Sequence, residues 1–180
     1  MGSRRLLVCL LVGAVMATGV AQAAPTRTRR ARVAVRYLVS QQKPNGSLPA
    51  FSAVGSTADA VVSMVAARRG AKAIDKALGW LRRKVRNGKV EEVGPQAKVA
   101  LAVATAGRNP RNFGGANLIK EIQDSELENG RFGEGTAVFN QALALLALQG
   151  AGASFTTNSV EWLVDAQCGD GGWQFDEPAT

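Results

Sequence analysis

Groups that change charge, attack or coordinate are scarce in this 180-residue chain. It has no histidine and two cysteines, Cys9 and Cys168. Asp165 and Cys168 stand at ligand spacing. A zinc site draws on roughly three or four protein ligands, however, and these two alone make a poor one. The acids Asp170, Asp176 and Glu177 lie in a polar, glycine-containing stretch and read as solvated loop residues. Six polar residues interrupt otherwise apolar segments: Asp59, Ser63, Gln96, Lys98, Asn140 and Gln141. Several fall in first helical turns, where such side chains serve as caps, and together they are candidates for one mouth of a cavity. No catalytic, metal or cofactor set emerges, which argues against an enzyme.

The recurrent motif is a turn. Asn45-Gly46-Ser47-Leu48 returns as Asn87-Gly88-Lys89-Val90, as Asn129-Gly130-Arg131-Phe132 and as Asp170-Gly171-Gly172-Trp173, at spacings of 42, 42 and 41 residues. One Asn-Gly is a weak signal, but four at one period, each followed by an apolar residue, predict a repeat array. Glycine accepts positive φ, Asn and Asp bond their own backbone locally, and the apolar residue anchors the turn.

The flanks keep the period. An amphipathic segment precedes each turn: Val33, Ala34, Tyr37 and Leu38 on one face, then Leu78, Leu81 and Val85 with Arg82, Arg83 and Arg86 turned away, then Leu118, Ile119 and Ile122, then Val160, Leu163 and Val164. Trp80 and Trp162 precede Leu81 and Leu163 as Tyr37 precedes Leu38. Segments starting at Ala58, Pro95 and Thr136 are apolar nearly all round and predict buried helices. Ser56 and Thr136 read as their N-caps, Pro95 as a first helical position, and Gly70, Gly107 and Gly150 as C-cap glycines. The expected fold is all-α: tandem helix hairpins of about 42 residues, wet helices outside and dry alanine-rich ones inside.

Gln167-Cys168-Gly169-Asp170-Gly171-Gly172-Trp173 resembles the Q-x-x-D-G-G-W form of the QW repeat of squalene cyclases and protein prenyltransferases. Gln41-Gln42 and Gln123 keep part of it before the first and third turns. The resemblance covers residues 33–180 and implies an α/α toroid, here incomplete, with three full helix pairs and half of a fourth. It is closest to exported bacterial proteins carrying prenyltransferase/squalene oxidase repeats. The catalytic signatures of those enzymes are missing: there is no D-x-D-D acid motif, no histidine for the prenyltransferase zinc, and ten aromatic residues are few for a cation-stabilising cavity. Position 171 is glycine where a thioester cysteine at 168 would need glutamine. The motif residues Gln167, Asp170, Gly171 and Trp173 therefore read as structural. The expected function is a non-catalytic binding or scaffold module. The alternatives are a fragment of a cyclase- or prenyltransferase-like enzyme with its catalytic residues beyond Thr180, or a small-molecule carrier of the cobalamin type.

Residues 1–23 read as a signal peptide. Arg4 and Arg5 precede the apolar run Leu6 to Val20, and Ala21-Gln22-Ala23 is a cleavage box. Export to the cell surface or medium follows, with membrane contact only in transit, and Cys168 is left without a cysteine partner. Residues 24–32 read as a solvated basic linker. Residues 37–110 carry 12 basic and 4 acidic groups, and residues 111–180 carry 3 and 10. The sequence pI of about 10.2 thus reflects a basic arm (Arg27, Arg29, Arg30, Arg32 and Arg36) and one half of a bipolar domain, not a nucleic-acid-binding surface. The third inner helix is expected to expose an apolar flank, to be covered by self-association or by further repeats downstream. A small apolar ligand is the other expected partner.

Overall fold

Alanine, leucine and valine at helical spacing, stopped by glycine at regular intervals, produce helices throughout. The computed structural model describes residues 23–134 and 137–175. The signal-peptide segment before Ala23, Cys9, the Thr136 cap and the acids Asp176 and Glu177 lie outside the described residues. Seven α-helices are described: α1 (Ala23–Gln41), α2 (Ala53–Ala66), α3 (Ala71–Arg86), α4 (Val93–Thr105), α5 (Leu118–Asp124), α6 (Val138–Gly150) and α7 (Thr157–Asp165). A 3-10 turn at Pro110–Asn112 precedes α5. The described residues form no strand, only the isolated bridges Phe113–Ala116 and Glu126–Phe132. The fold is all-α. No described helix is long and apolar enough to cross a membrane.

Odd and even helices differ in burial. The even helices α2, α4 and α6 pack side by side, α4 between its two neighbours, while α3 leans on α2, α5 on α4 and α7 on α6. Alanines make the close approach of the even row possible: Ala58, Ala97, Ala100, Ala102, Ala144 and Ala147 are fully buried. The odd helices bury one face. In α3 this face is Ala77, Leu78, Trp80, Leu81 and Val85, with Arg82, Arg83 and Arg86 in solvent; in α5 it is Leu118, Ile119 and Ile122. Both faces match their sequence pattern.

Two predicted faces do not. In α1, Val35 is buried and Leu38 half-buried, while Val33, Ala34 and Tyr37 are exposed. In α7, Val160 and Val164 are exposed and Leu163 is half-buried. Both helices sit at the margins of the described array, where only one side meets a neighbour. The basic stretch expected as a linker is helical: Pro25 falls in the first turn of α1, where it is tolerated, and neither proline nor glycine follows it within the helix.

The helix ends also shift. Ser52, not Ser56, caps α2: its Oγ accepts the Gly55 N–H at 3.1 Å, and Ser56 lies inside the first turn. Pro95 is the third residue of α4, still within the turn where its missing N–H costs nothing. Gly107 (φ 67°) follows the C-cap of α4 as expected. Gly150 is the last residue of α6, and Gly152 (φ 60°) makes the left-handed stop. Gly70 (φ 82°) is the N-cap of α3. The left-handed residue after α2 is Arg68 (φ 52°), whose N–H bonds Val65 O at 2.8 Å while Arg69 N–H bonds Met64 O at 3.1 Å.

Candidate functional site: matched turns and an apolar groove

Three of the four Asx-Gly turns share one geometry. In the first, Lys43 N–H bonds Ser47 O (2.8 Å) and Gly46 N–H bonds Lys43 O (2.9 Å); in the third, Leu127 bonds Arg131 (2.8 Å) and Gly130 bonds Leu127 (2.8 Å); in the fourth, Cys168 bonds Gly172 (2.8 Å) and Gly171 bonds Cys168 (2.8 Å). The side-chain oxygens of Asn45, Asn129 and Asp170 each accept the N–H two residues on, at 2.9, 3.1 and 2.9 Å. Gly46, Gly130 and Gly171 have φ of 99°, 84° and 86°. The fit of Asp170 among asparagines is natural, because only an acceptor oxygen is needed.

The second turn is different. Asn87 is the C-cap of α3, and Gly88 N–H and Lys89 N–H close back on Val85 O and Lys84 O at 3.0 Å each. Asn87-Gly88 is thus a helix stop of Schellman type. Three residues before the Asx, the matched turns carry Gln42, Glu126 and Gln167, and the second carries Lys84. Gln42 Nε2 donates to Gly46 O (3.0 Å), and Gln167 Nε2 to Gly171 O (2.7 Å). Gln123 is out of register; its amide bonds Ser154 O at 2.7 Å instead.

The first and third turns are pinned from the even helix that follows. Leu48 N–H donates to Thr57 Oγ1 (2.9 Å), nine residues on. Phe132 N–H donates to Gln141 Oε1 (2.9 Å), also nine residues on, while Gln141 Nε2 donates to Gly130 O (2.9 Å) and Ser159 O (3.0 Å). Gln141 and Thr57 are fully buried. The spacing of nine between the apolar turn residue and the pin was available in the sequence but carried no recognisable motif.

Of the other candidate polar residues, Gln96 bonds Glu121 (2.9 Å) between α4 and α5. Asn140 packs over Gly94, where an added Cβ would lie 2.3 Å from its Oδ1. Ser63 Oγ bonds Asp59 O within α2. Asp59 and Lys98 pair at 2.8 Å across α2 and α4. Lys98 Nζ lies 5.3 Å from the Phe139 ring centre on α6, and Phe139 stacks on Phe175 at 5.8 Å. A row Asp59–Lys98–Phe139–Phe175 therefore crosses all three even helices.

At the aromatic end of this row lies a groove of about 460 Å³ lined by Val138, Phe139, Ala142, Leu163, Trp173, Gln174 and Phe175. Trp173 Nε1 donates to Leu163 O (2.8 Å), so the indole's polar edge is satisfied and its faces are free for contact. Among the described lining residues Gln174 and the Trp173 indole N–H are the polar side-chain groups, and the volume lies within the roughly 300–1,000 Å³ of small-molecule sites. Of the lining residues, Trp173 alone was singled out by its motif. Phe139 and Phe175 join the site through folding.

No group of three or more His, Cys, Asp or Glu side chains comes together among the described residues. Cys168 is a half-buried free thiol within the fourth turn. No family model, curated protein or solved structure matches this chain.

Proposed function

We propose that the chain is an exported, non-catalytic binding or scaffold module of the squalene cyclase/prenyltransferase repeat type, and that it holds a small apolar molecule in the groove beside Trp173. The carrying observation is the lining itself: two phenylalanines, a tryptophan, Leu163, Val138 and Ala142, with no ionisable side chain among them. Such a surface offers burial and ring contact but no proton donor, base or nucleophile, so it suits retention of a ligand better than its conversion. The Q-x-x-D-G-G-W resemblance supports the repeat assignment, and the three geometrically matched turns agree with it.

Tryptophan emission gives the direct test, since Trp173 is 50% exposed while Trp80 is 7% exposed. Titration with an isoprenoid alcohol or a long-chain fatty acid should shift the emission to shorter wavelength and saturate. Phe139→Ala should weaken binding by about tenfold, as expected for an aromatic anchor lost from a pocket. Native mass spectrometry of the protein taken from its own cell should show the retained molecule. An unchanged spectrum in every titration and an empty native protein would remove this reading.

A further inference from the structure

The matched turns follow a packing rule that the fourth leaves open. An added Cβ at Gly46 would lie 2.2 Å from Lys76 O and 3.4 Å from Ala77 N; at Gly130 it would lie 2.3 Å from Asn158 O and 2.4 Å from Ser159 N. The first and third turns thus press their glycines onto the backbone of α3 and α7. The same residue pair is met each time, since Lys76 and Asn158, like Trp80 and Trp162, are 82 residues apart. A small residue, Ala77 or Ser159, fully buried, accepts the glycine. At Gly171 the nearest such contact is a side-chain nitrogen 4.0 Å away.

One helix of the chain carries the missing half of this contact. Aligned on the aromatic residue, Tyr37 with Trp80 and Trp162, α1 presents Val33 and Ala34 where α3 presents Lys76 and Ala77. Ala34 is exposed and Val33 is 51% exposed. On the fourth-turn side the open surface is also apolar: Val164 is 58% exposed, and Val160 is 40% exposed where its counterpart Leu78 is 5%. Charge then sets the direction. No Asp or Glu occurs before Asp59, and α1 carries Arg29, Arg30, Arg32 and Arg36, all exposed and in none of the described salt bridges. No Lys or Arg occurs after Arg131, and the tail holds Glu161, Asp165 and Asp170, all exposed. In α3 the same side of the helix already uses an arginine for this joint, Arg83 Nη2 donating to Asn45 O at 2.9 Å.

We propose that the chain associates head to tail with a second copy, α1 of one copy seating Val33 and Ala34 on the Gly171 turn of the next, with Arg32 and Arg36 beside Asp170. Opposite charge steers the encounter, and the exposed valines supply the burial. The interface is heterologous, so each copy has one live front and one live back. This inference does not rest on what fills the groove: ligand is read by tryptophan emission, association by sedimentation.

Two variants on exposed positions test it, each checked for an unchanged circular dichroism spectrum. Arg32→Glu/Arg36→Glu disables the front, and Val164→Asp disables the back. The full chain, as its cell processes it, should show concentration-dependent association that weakens as salt rises. Each variant alone should associate at least about tenfold more weakly. An equimolar mixture should recover a 1:1 dimer and nothing larger, because one intact front meets one intact back. A parent chain that stays monomeric at all concentrations overturns the proposal. So does an arginine variant that associates like the parent, which would indicate a tail-to-tail contact.

Discussion

The third and fourth turns have the same hydrogen bonds, the same left-handed glycine and the same Asx acceptor, yet opposite surroundings. Gly130 is pressed against Asn158 and Ser159, and Phe132 is fully buried; Gly171 has open space, and Trp173, in the place of Phe132, is 50% exposed. The backbone of the turn is therefore written locally, by Asx and glycine. The tightness of the joint belongs to whatever packs on it. Identical substitutions at the two sites should separate these contributions.

The widest separation is expected at the apolar anchor. Phe132→Ala should cost about 3–5 kcal/mol, as for a buried aromatic ring, and Trp173→Ala no more than about 1 kcal/mol, both read from denaturant unfolding monitored by circular dichroism. Equal losses would mean that the fourth turn is covered in solution. At the glycines, Gly130→Ala combines a left-handed penalty with a collision against helix backbone and should cost about 3 kcal/mol or more. Gly171→Ala carries only the penalty, about 1 kcal/mol. A strongly associating sample would raise the second value, so the pair should be measured at low protein concentration.

The amides give the next smaller contrast. Gln141→Leu removes three bonds, those to Gly130 O and Ser159 O and the one from Phe132 N–H, from a fully buried position, a loss of about 2–3 kcal/mol. Gln167→Leu breaks one exposed bond to Gly171 O and should change stability by about 0.5 kcal/mol or less.

What the sequence disclosed follows the same division. The three matched turns and the buried faces of α3 and α5 were legible, because their determinants lie within a few residues. Asn87-Gly88 was read as a fourth equal turn. The letters are the same, but Lys84 replaces Gln or Glu three residues before, and the helix simply runs into its cap. The faces of α1 and α7 were misread because burial there depends on a neighbour, which periodicity does not supply. The 3-10 turn at Pro110–Asn112 interrupts the repeat without any signal in its spacing. In the groove, Trp173 was visible through its motif, while Phe139 and Phe175, 36 residues apart, meet only in the folded chain.

A similarly small effect, of opposite sign, isolates the left-handed backbone from packing altogether. Arg68 occupies the position after α2 that glycine holds after α4 and α6. Arg68→Gly should therefore stabilise the protein by about 0.5–1 kcal/mol, the mirror of the Gly171→Ala penalty. A destabilised variant would show that the arginine side chain contributes more than its backbone costs.

Amides supply four of the ties between one unit and the next: Gln42 to Ala73 O, Gln123 to Ser154 O, Gln141 to Ser159 O and Asn158 to Glu128 O. Amides do not titrate in water over the range proteins experience, so these four ties bind the same number of protons folded as unfolded. Carboxylates supply others: Glu126 bonded to Thr156, Glu121 to Gln96, Asp59 to Lys98 and Asp75 to Arg108. Acidification should therefore loosen the carboxylate ties and leave the four amide ones in place.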